Sequence, residues 1–224
     1  MEPIVLIGAK NPTTCLMIRD FLEHNDRKYI HCFLDNDESK WGTEFCGYKV
    51  YGGTKDIPAM HIPEDAKFIN LITGSTRARF EVSREIARQG YGFGNLIHSS
   101  VKLEDVEIGV GNYIQNDVEI QAGVKIGNNC SAHVGNIIAH ETIIGDSVFV
   151  SFGVNIAGEV EIGDGVFVGA GATILPRIKI GQWATIGAGA VVTKDVRRYC
   201  VIAGNPARVI DHSYPHHDKG DPFR

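Results

Sequence analysis

An aliphatic residue recurs at every sixth position from Ile108 to Val192, and no insertion interrupts the count. Fifteen consecutive positions of this lane are aliphatic, and all except Ala132 are β-branched Ile or Val. Neither the 3.6-residue period of a helix nor the two-residue period of an isolated strand produces a strict period of six. This repeat constrains the fold of the chain more than any other feature.

A six-residue repeat is typical of a parallel β-helix, in which short strands turn corners and stack coil upon coil. β-branched residues suit such strands, and Gly supplies the backbone conformations that corners need. A second lane of small or β-branched residues, among them Val118, Val124 and Cys130, follows the first. Because each coil buries its inner face only by stacking, the repeat predicts a prism of about five coils.

The composition limits the class of protein. The chain has 224 residues, 43% of them hydrophobic, and a formal net charge of −5, which disfavours a nucleic-acid surface. Its five cysteines are odd in number and contain no CxxC pair, so we expect reduced thiols rather than a disulfide framework. The apolar run at the N-terminus is too short for a signal peptide or a membrane helix. These features predict a soluble cytoplasmic protein.

The first hundred residues alternate between strand-like and helix-like patterns. Apolar runs at 3–9, 29–34, 68–73 and 93–97 predict strands, and apolar residues at helical spacing predict helices after Asn11 and at 77–89. Asn11 is placed to cap the first helix, with Pro12 in its first turn. The alternation indicates a small parallel sheet. We therefore predict an α/β domain at 1–97, a β-helix at 98–210 and a polar tail at 211–224.

In a parallel sheet, ligands bind beyond the carboxyl ends of the strands. The residues predicted at that edge are Gly8, Lys10, Asn11, Asp35, Asn36 and Gly74. The first turn has a single glycine, so the GxGxxG fingerprint of a nicotinamide dinucleotide site is absent. Asp35 is suited to accept hydrogen bonds from a base or a ribose, and it is equally suited to an ordinary turn.

Three segments carry a family resemblance: IGDGVFVGAGATILP, IGAGAVVTKDV and AGNPARVI. They resemble the left-handed β-helix, hexapeptide-repeat acyltransferases. A short α/β domain before an uninterrupted prism is similar to the bacterial sugar acetyltransferase subgroup, which includes nucleotide-aminosugar N-acetyltransferases and sialic acid O-acetyltransferase-like proteins. The resemblance spans about residues 3 to 210. It implies a homotrimer that uses acetyl-CoA, requires no metal, and holds a sugar nucleotide in a Rossmann-like front domain during surface glycan synthesis.

His140 and Glu141 occupy the third and fourth places of the hexad that starts at Ile138, and hence a corner of the prism. The residues one coil away from His140 are Ala122 and Gly158, whose small size predicts room for a substrate. A solvated turn histidine is the competing interpretation. The resemblance implies that His140 is the general base of acyl transfer and that Glu141 orients it.

Two positions depart from the pattern of the family. The resemblance implies an Asn that contacts the acceptor at the position of His133, and a His that touches acetyl-CoA at the position of Phe149. The lane of His133 continues through Ser151 and Gly169, which predicts open space on one side of the ring. Phe149, with Phe167 one coil later, is predicted either to pack on pantetheine or to form an apolar contact between protomers.

The resemblance also places the cofactor groove along small residues. It implies that acetyl-CoA contacts Ala170 and Ala188 and that Arg208, in the GNPAR segment, reaches a phosphate of the cofactor. A structural need for small residues at corners competes with this interpretation. His216 and His217 belong to the polar tail and are interpreted as solvated residues rather than a metal site.

Three other functions compete with N-acetylation of an amino sugar. O-acetylation of a sugar hydroxyl uses the same chemistry. A zinc carbonic anhydrase uses three histidines across a trimer interface, but the prism offers two, His133 and His140, without the expected close pair. A non-catalytic scaffold remains the third, because a fold does not fix a function.

Overall fold

The computed structural model describes residues 1–212, and the front of the chain forms a six-stranded sheet. Its strands are β1 (Glu2–Ile7), β2 (Lys28–Leu34), β3 (Glu44–Phe45), β4 (Tyr48–Gly52), β5 (Lys67–Asn70) and β6 (Gly92–Phe93). Their order in the sheet is β3-β4-β2-β1-β5-β6. The β3–β4 hairpin is antiparallel, and the other neighbours are parallel. The small parallel sheet predicted from the sequence is therefore present.

Two α-helices, α1 (Thr13–Glu23) and α2 (Thr76–Arg88), cover opposite faces of this sheet. Ile4 and Leu6 of β1 pack with the α1 side, whereas Val5 and Ile7 pack with the α2 side. Alternate residues of a strand point to opposite faces, so β1 contributes to two cores. Short 3₁₀ helices at Glu38–Lys40 and Thr54–Ala59 complete the connections.

The rest of the described chain is a three-sided prism of two-residue strands. They are β7 (Leu96–Ile97), β8 (Glu107–Ile108), β9 (Tyr113–Ile114), β10 (Glu119–Ile120), β11 (Lys125–Ile126), β12 (Ser131–Ala132), β13 (Ile137–Ile138), β14 (Ile143–Ile144), β15 (Phe149–Val150), β16 (Asn155–Ile156), β17 (Glu161–Ile162), β18 (Phe167–Val168), β19 (Thr173–Ile174), β20 (Lys179–Ile180), β21 (Thr185–Ile186) and β22 (Val191–Val192). Every position of the aliphatic lane is the second residue of one of β8–β22, so the predicted β-helix is confirmed.

The three faces of the prism pair residues that are eighteen apart, as in Ile120 with Ile138 and Ile126 with Ile144. The first face contains β9, β12, β15, β18 and β21, the second β10, β13, β16, β19 and β22, and the third β8, β11, β14, β17 and β20. The coil β12–β13–β14 carries both His133 and His140 at its corners. Its corner at 133–136 is called the His133 corner, and its corner at 139–142 is called the His140 corner.

The chain enters the prism earlier than the sequence suggested. The predicted strand at 93–97 is two strands, because β6 ends the front sheet and β7 pairs with β9 of the prism. At the other end, β23 (Cys200–Ala203) extends the first face, and β24 (Arg208–His212) runs antiparallel to it. Asp211 and His212, predicted in the tail, thus belong to a strand. Residues 213–224, with His216 and His217, lie outside the described residues.

The cysteines differ from the expectation of five reduced thiols. Cys15 of α1 and Cys46, which follows β3, form a disulfide with a Cα–Cα distance of 5.1 Å. The sequence could not show this pair, since the two residues come from separate elements that only the folded sheet brings together. Cys32, Cys130 and Cys200 are buried free thiols. Burial raises the pKa of the Cys130 thiol to about 12, which agrees with its predicted place in the core rather than as a nucleophile.

No helix among residues 1–212 has the length and apolar character needed to cross a membrane.

The inward lane predicts a stability difference between two adjacent residues of β14. Ile144 is 4% exposed in the prism core, whereas Ile143, its neighbour, is 47% exposed. Ile144→Ala should destabilise the protein by about 2–5 kcal/mol because it leaves a cavity. Ile143→Ala removes the same atoms from the surface and should cost less than about 1 kcal/mol. Urea denaturation midpoints compare the variants, and equal losses would contradict the inward lane.

Candidate functional site

A cavity of about 440 Å³ opens at the carboxyl ends of β1, β2 and β5. We call it the front cavity. Since β2 and β5 lie on opposite sides of β1, the cavity lies where the strand order reverses, as ligand sites in such sheets do. It is lined by all six residues that the sequence predicted, namely Gly8, Lys10, Asn11, Asp35, Asn36 and Gly74. Thr14, Lys40 and Thr73 also line it and were not predicted.

Asp35 organises the loops around the front cavity. Its carboxylate accepts hydrogen bonds from the backbone N–H of Ala9 at 2.8 Å and from that of Asp37 at 3.0 Å. It also forms an ion pair with Lys40, whose Nζ lies 2.7 Å from Oδ2. Both interpretations of Asp35 thus find support, because it lines the cavity and is also a turn residue. Lys40 was missed because its pairing with Asp35 depends on the short 3₁₀ helix at Glu38–Lys40 and has no signature in the sequence.

The charge of the front cavity is positive. Lys10 and Lys40 contribute two positive charges, and Asp35 is the one acid among the residues that line it. Asn36 also holds the cavity wall, since its Oδ1 accepts hydrogen bonds from the backbone and hydroxyl of Thr54. Two cations against one paired carboxylate favour an anionic ligand such as a phosphate.

The turn after β1 closes the bottom of the cavity. Gly8 has φ +103°, a backbone conformation that residues with a side chain rarely adopt, so glycine suits this turn. Asn11 accepts a hydrogen bond at Oδ1 from the N–H of Thr13, and Pro12 has helical backbone angles. The side-chain cap predicted at Asn11 is therefore present, although the helix is assigned from Thr13.

The His140 corner presents an ordered histidine–carboxylate pair. Nδ1 of His140 lies 3.2 Å from Oε2 of Glu141, and the backbone N–H of His140 donates to Oε1 of Gln121. The side chains are 56% and 70% exposed. When Nδ1–H donates to the carboxylate, Nε2 carries the lone pair that can accept a proton.

The imidazole of His140 lies against the next coil at Gly158. A Cβ at position 158 would lie 2.5 Å from Nε2, so the ring occupies the space that a side chain would fill. The space beside Gly158, which the sequence predicts to be open for a substrate, is therefore filled by the imidazole of His140. A residue larger than glycine at 158 would displace the ring from Glu141.

His133 is buried rather than open to solvent. Its side chain is 2% exposed, Nε2 lies 3.1 Å from the hydroxyl of Ser131, and Nδ1 has no partner among residues 1–212. The predicted open space is wrong, because the ring of Phe152 from the next coil lies 5.0 Å away, edge to face. Desolvation and the charge of Arg79 lower the pKa of His133 to about 4, so its ring is neutral at pH 7.

Phe149 is also inside the cluster around His133. It is 6% exposed, stacks on Phe167 with centroids 5.0 Å apart, and packs at 4.8 Å against His133. The exposed ring is Phe152, which is 51% exposed and was not predicted. Contact between Phe149 and pantetheine, like contact between protomers, remains a prediction.

The other three residues predicted to bind the cofactor lie on the surface. Ala170 and Ala188 are exposed one coil apart, and the N–H of Gly189 donates to the carbonyl of Ala170. Gly169 is required there, since a Cβ would lie 2.6 Å from the backbone nitrogen of Ala188. Arg208 is exposed on β24, and its Nη1 donates to the carbonyl of Ala207. Contact between these three residues and acetyl-CoA remains a prediction.

Sequence reasoning missed two residues that join the front sheet to the prism. Arg79 of α2 is fully buried, and desolvation lowers the pKa of its guanidinium to about 10. Tyr113 of β9 is 2% exposed and packs in the front core beside Leu96 and Met17. A signal for Arg79 existed, because it shares helical spacing with Ser83 and Ile86 on the buried side of α2.

Comparison with known proteins identifies the class of fold. The family described as bacterial transferase hexapeptide (six repeats) matches residues 159–194. A mutant of perosamine N-acetyltransferase from Caulobacter crescentus, solved with CoA and GDP-perosamine, is 24% identical and superimposes with a TM-score of 0.84 over 94% of this chain and 98% of that chain. No curated protein sequence matches the chain.

Two further solved structures are similar over nearly their whole length. The acetyltransferase domain of PglB from Neisseria gonorrhoeae FA1090, in complex with acetyl coenzyme A, is 24% identical with a TM-score of 0.81, over 93% of this chain and 99% of that chain. WeeI from Acinetobacter baumannii AYE is 25% identical with a TM-score of 0.80, over 94% of this chain and 100% of that chain. The chain therefore has the fold of left-handed β-helix, hexapeptide-repeat sugar acetyltransferases, as the resemblance implied.

Within residues 1–212, no three side chains of His, Cys, Asp or Glu are grouped so that they could bind a metal.

The lowered pKa of His133 predicts a pH dependence of stability. The unfolded chain takes up this proton near pH 6.5, whereas the folded protein takes it up near pH 4. As pH falls through that window the unfolded state binds more protons, so stability present above pH 6.5 is lost, by up to about 3 kcal/mol.

His133→Gln should remove this part of the pH dependence. Urea unfolding at pH 7 and pH 4.5 measures it in both proteins, and their difference isolates His133 from the other titrating groups. An unchanged pH dependence in the variant would contradict the buried, neutral ring.

Proposed function

We propose that this chain is an acetyl-CoA-dependent acetyltransferase that modifies the amino group of a nucleotide-linked amino sugar. One observation carries the proposal: His140 and Glu141 form a hydrogen-bonded pair at an exposed corner of the prism, with Nε2 lying over Gly158. The proposal draws further support from similar proteins, since one was solved with CoA and GDP-perosamine and another with acetyl coenzyme A.

The pair is suited to direct acyl transfer. The amine attacks the thioester carbonyl of acetyl-CoA, a C–N bond forms, and Nε2 of His140 takes the proton that the amine loses. Glu141 holds Nδ1–H and stabilises the imidazolium. The tetrahedral intermediate then expels the CoA thiolate, which regains a proton from the imidazolium. No covalent enzyme intermediate is required, in keeping with the buried thiol of Cys130.

The front cavity supplies the acceptor site in this proposal. Lys10 and Lys40 attract the diphosphate of a sugar nucleotide, and Gly8, Asn11 and Gly74 let the backbone approach it closely. Asp35 keeps Lys40 in place and holds the turn of Ala9. We assign this role to a Rossmann-like domain at about 1–97, which precedes the β-helix domain at 98–210.

The exposed alanines of the later coils supply the donor site. Acetyl-CoA would lie along Ala170 and Ala188, with Arg208 near its phosphates, and an aromatic ring against its pantetheine. The resemblance points to Phe149 for that ring, and Phe152 is the more accessible of the two. A groove on one prism encloses a ligand only when a second prism faces it. We therefore propose a homotrimer, whose cyclic symmetry completes every site identically, and a cytoplasmic location where acetyl-CoA is made.

O-acetylation of a sugar hydroxyl is the second candidate, because the same general base can take a proton from a hydroxyl. His133 stands where the resemblance implies an Asn that contacts the acceptor, but its ring is 2% exposed and does not reach solvent. A screen of UDP-, GDP- and dTDP-linked amino sugars with acetyl-CoA, with the products analysed for amide or ester, decides between the candidates. If no acyl transfer occurs to any acceptor, both candidates are wrong.

His140→Asn tests the base. The variant keeps the size of the side chain and some hydrogen bonding but no basicity, so kcat should fall by about 10²–10⁴. The KM for acetyl-CoA should remain near that of the wild type. Glu141→Gln should lose less, because it keeps the orientation of the ring and removes only the charge. A His140→Asn protein with nearly normal kcat would refute this mechanism.

Lys40→Met tests the front cavity. It removes one of the two cations and the partner of Asp35, so the KM for the nucleotide sugar should rise about tenfold, which corresponds to about 1.4 kcal/mol. The KM for acetyl-CoA should not change. Lys49→Met, on the exposed side of β4, is the matched control. If the KM values for both substrates rise together, the cavity is not a separate acceptor site.

A further inference from the structure

Arg79 is a buried cation with an unusual set of partners. Within residues 1–212, no carboxylate lies within ion-pair distance of its guanidinium, and its partners are backbone carbonyls from two parts of the fold. Nε donates to the carbonyl of Asn129 at 2.7 Å, and Nη2 donates to that of Cys130 at 3.1 Å. A buried charge costs several kcal/mol to desolvate, so such an arrangement requires a specific benefit.

The same guanidinium holds a wall of the front cavity. Nη1 donates to the carbonyl of Ile72 at 3.2 Å, and Ile72 lines the cavity together with Thr73 and Gly74. The N–H of Ile72 donates to Oδ1 of Asn70, whose Nδ2 donates back to the carbonyl of Arg79. Ile72 is thus fixed on both sides by one buried network.

On the prism side, the hydrogen-bond network reaches the coil that carries the proposed base. Asn129 and Cys130 immediately precede β12, the first strand of the coil that carries both the His133 corner and the His140 corner. Ser83 adds a second link to this point, because its hydroxyl donates to Oδ1 of Asn129. One side chain therefore joins the cavity wall to the coil that holds the proposed base.

We propose that Arg79 is a positioning residue that sets the register between the front cavity and the His140 coil. An acceptor whose nucleotide lies in the cavity and whose amine lies at His140 must span both, so a shift of one relative to the other misplaces the amine. The inference rests on the proposed function and extends it: substrates that bridge the two regions should depend on Arg79, and shorter ones should not.

Arginine is needed at this position because of its geometry. The planar guanidinium has five N–H donors in a fixed fork and serves carbonyls in different directions at once. A lysine has the same charge but a single nitrogen, which cannot bond to Ile72, Asn129 and Cys130 from one point. Arg79→Lys therefore keeps the positive charge but removes the hydrogen bonds that fix the front cavity relative to the His140 coil.

The test compares a long acceptor with a short one. The long acceptor is the UDP-, GDP- or dTDP-linked amino sugar that the wild type acetylates fastest, and the short one is the same sugar as its 1-phosphate. Arg79→Lys should lower kcat/KM for the long acceptor roughly 10–100-fold, the loss typical of a misplacement near 1 Å. For the short acceptor, kcat/KM should change less than about twofold, and the KM for acetyl-CoA should stay constant.

Two control variants separate register from general damage. Arg77→Gln lies on the same helix and contacts Trp183 of the prism without touching the cavity wall, so it should affect neither acceptor. Ser83→Ala removes a single hydroxyl from the network and should show the same selective loss for the long acceptor. This variant keeps the test decisive if Arg79→Lys folds poorly. Equal losses for both acceptors, or no loss for either, would overturn the inference.

Hydrogen exchange supplies a readout that needs no acceptor. In Arg79→Lys, the amides of Ile72–Gly74 should exchange faster than in the wild type, while those of β15–β20 should be unchanged. Uniformly faster exchange would show a structural loss instead and overturn the inference. If the wild type transfers no acetyl group, the proposed function fails, and the exchange experiment still decides whether Arg79 holds the wall.

Discussion

Burial of the six-residue aliphatic lane is the interaction on which the rest of the molecule depends. Each Ile or Val of the lane contacts its equivalents eighteen residues away, and the resulting core runs from Ile114 to Ile202. Since no insertion occurs, each corner lies directly above the corner eighteen residues earlier. The two histidines at 133 and 140 are therefore fixed on one coil by the stacking, and not by contacts of their own.

The corners impose a backbone conformation as well as a position. Glu141 has φ +58°, and the equivalent fourth place of other hexads also has positive φ, as at Asn129, Ser147 and Trp183. Such a conformation costs a non-glycine residue roughly 1–2 kcal/mol. Because it recurs around the prism, corner geometry explains it without a catalytic cause. What distinguishes Glu141 is its contact with Nδ1 of His140.

How much of this structure the sequence predicts depends on how local the cause is. The period of six places the strands, and the ends of three predicted strands place Gly8, Asp35 and Gly74 in one cavity. The partners of those residues come from elsewhere in space. Lys40 reaches Asp35 through a 3₁₀ helix, Cys46 reaches Cys15 through a hairpin, and neither pairing has a signature in spacing alone.

The burial of His133 was unpredictable for a related reason. The lane above it contains small residues, yet the side chain of Phe152 turns back over the ring from a corner position. Arg79 reaches the prism across fifty residues of sequence, and its place is visible only as a charge on the apolar side of α2. In both cases a long side chain fills a space that the sequence pattern describes as empty or apolar.

The surroundings of His133 and His140 give these two similar side chains different chemistry. His140 is half exposed, and its Nδ1 lies 3.2 Å from a carboxylate oxygen of Glu141. His133 is enclosed by Tyr113, Phe149 and Phe152 and feels the charge of Arg79, so protonation of its ring is disfavoured. A base must accept a proton during turnover, and a neutral hydrogen-bonding group must not. In the proposed mechanism His140 is the base and His133 is the neutral group. One coil holds both, because one corner faces solvent and the other faces the junction with the front sheet.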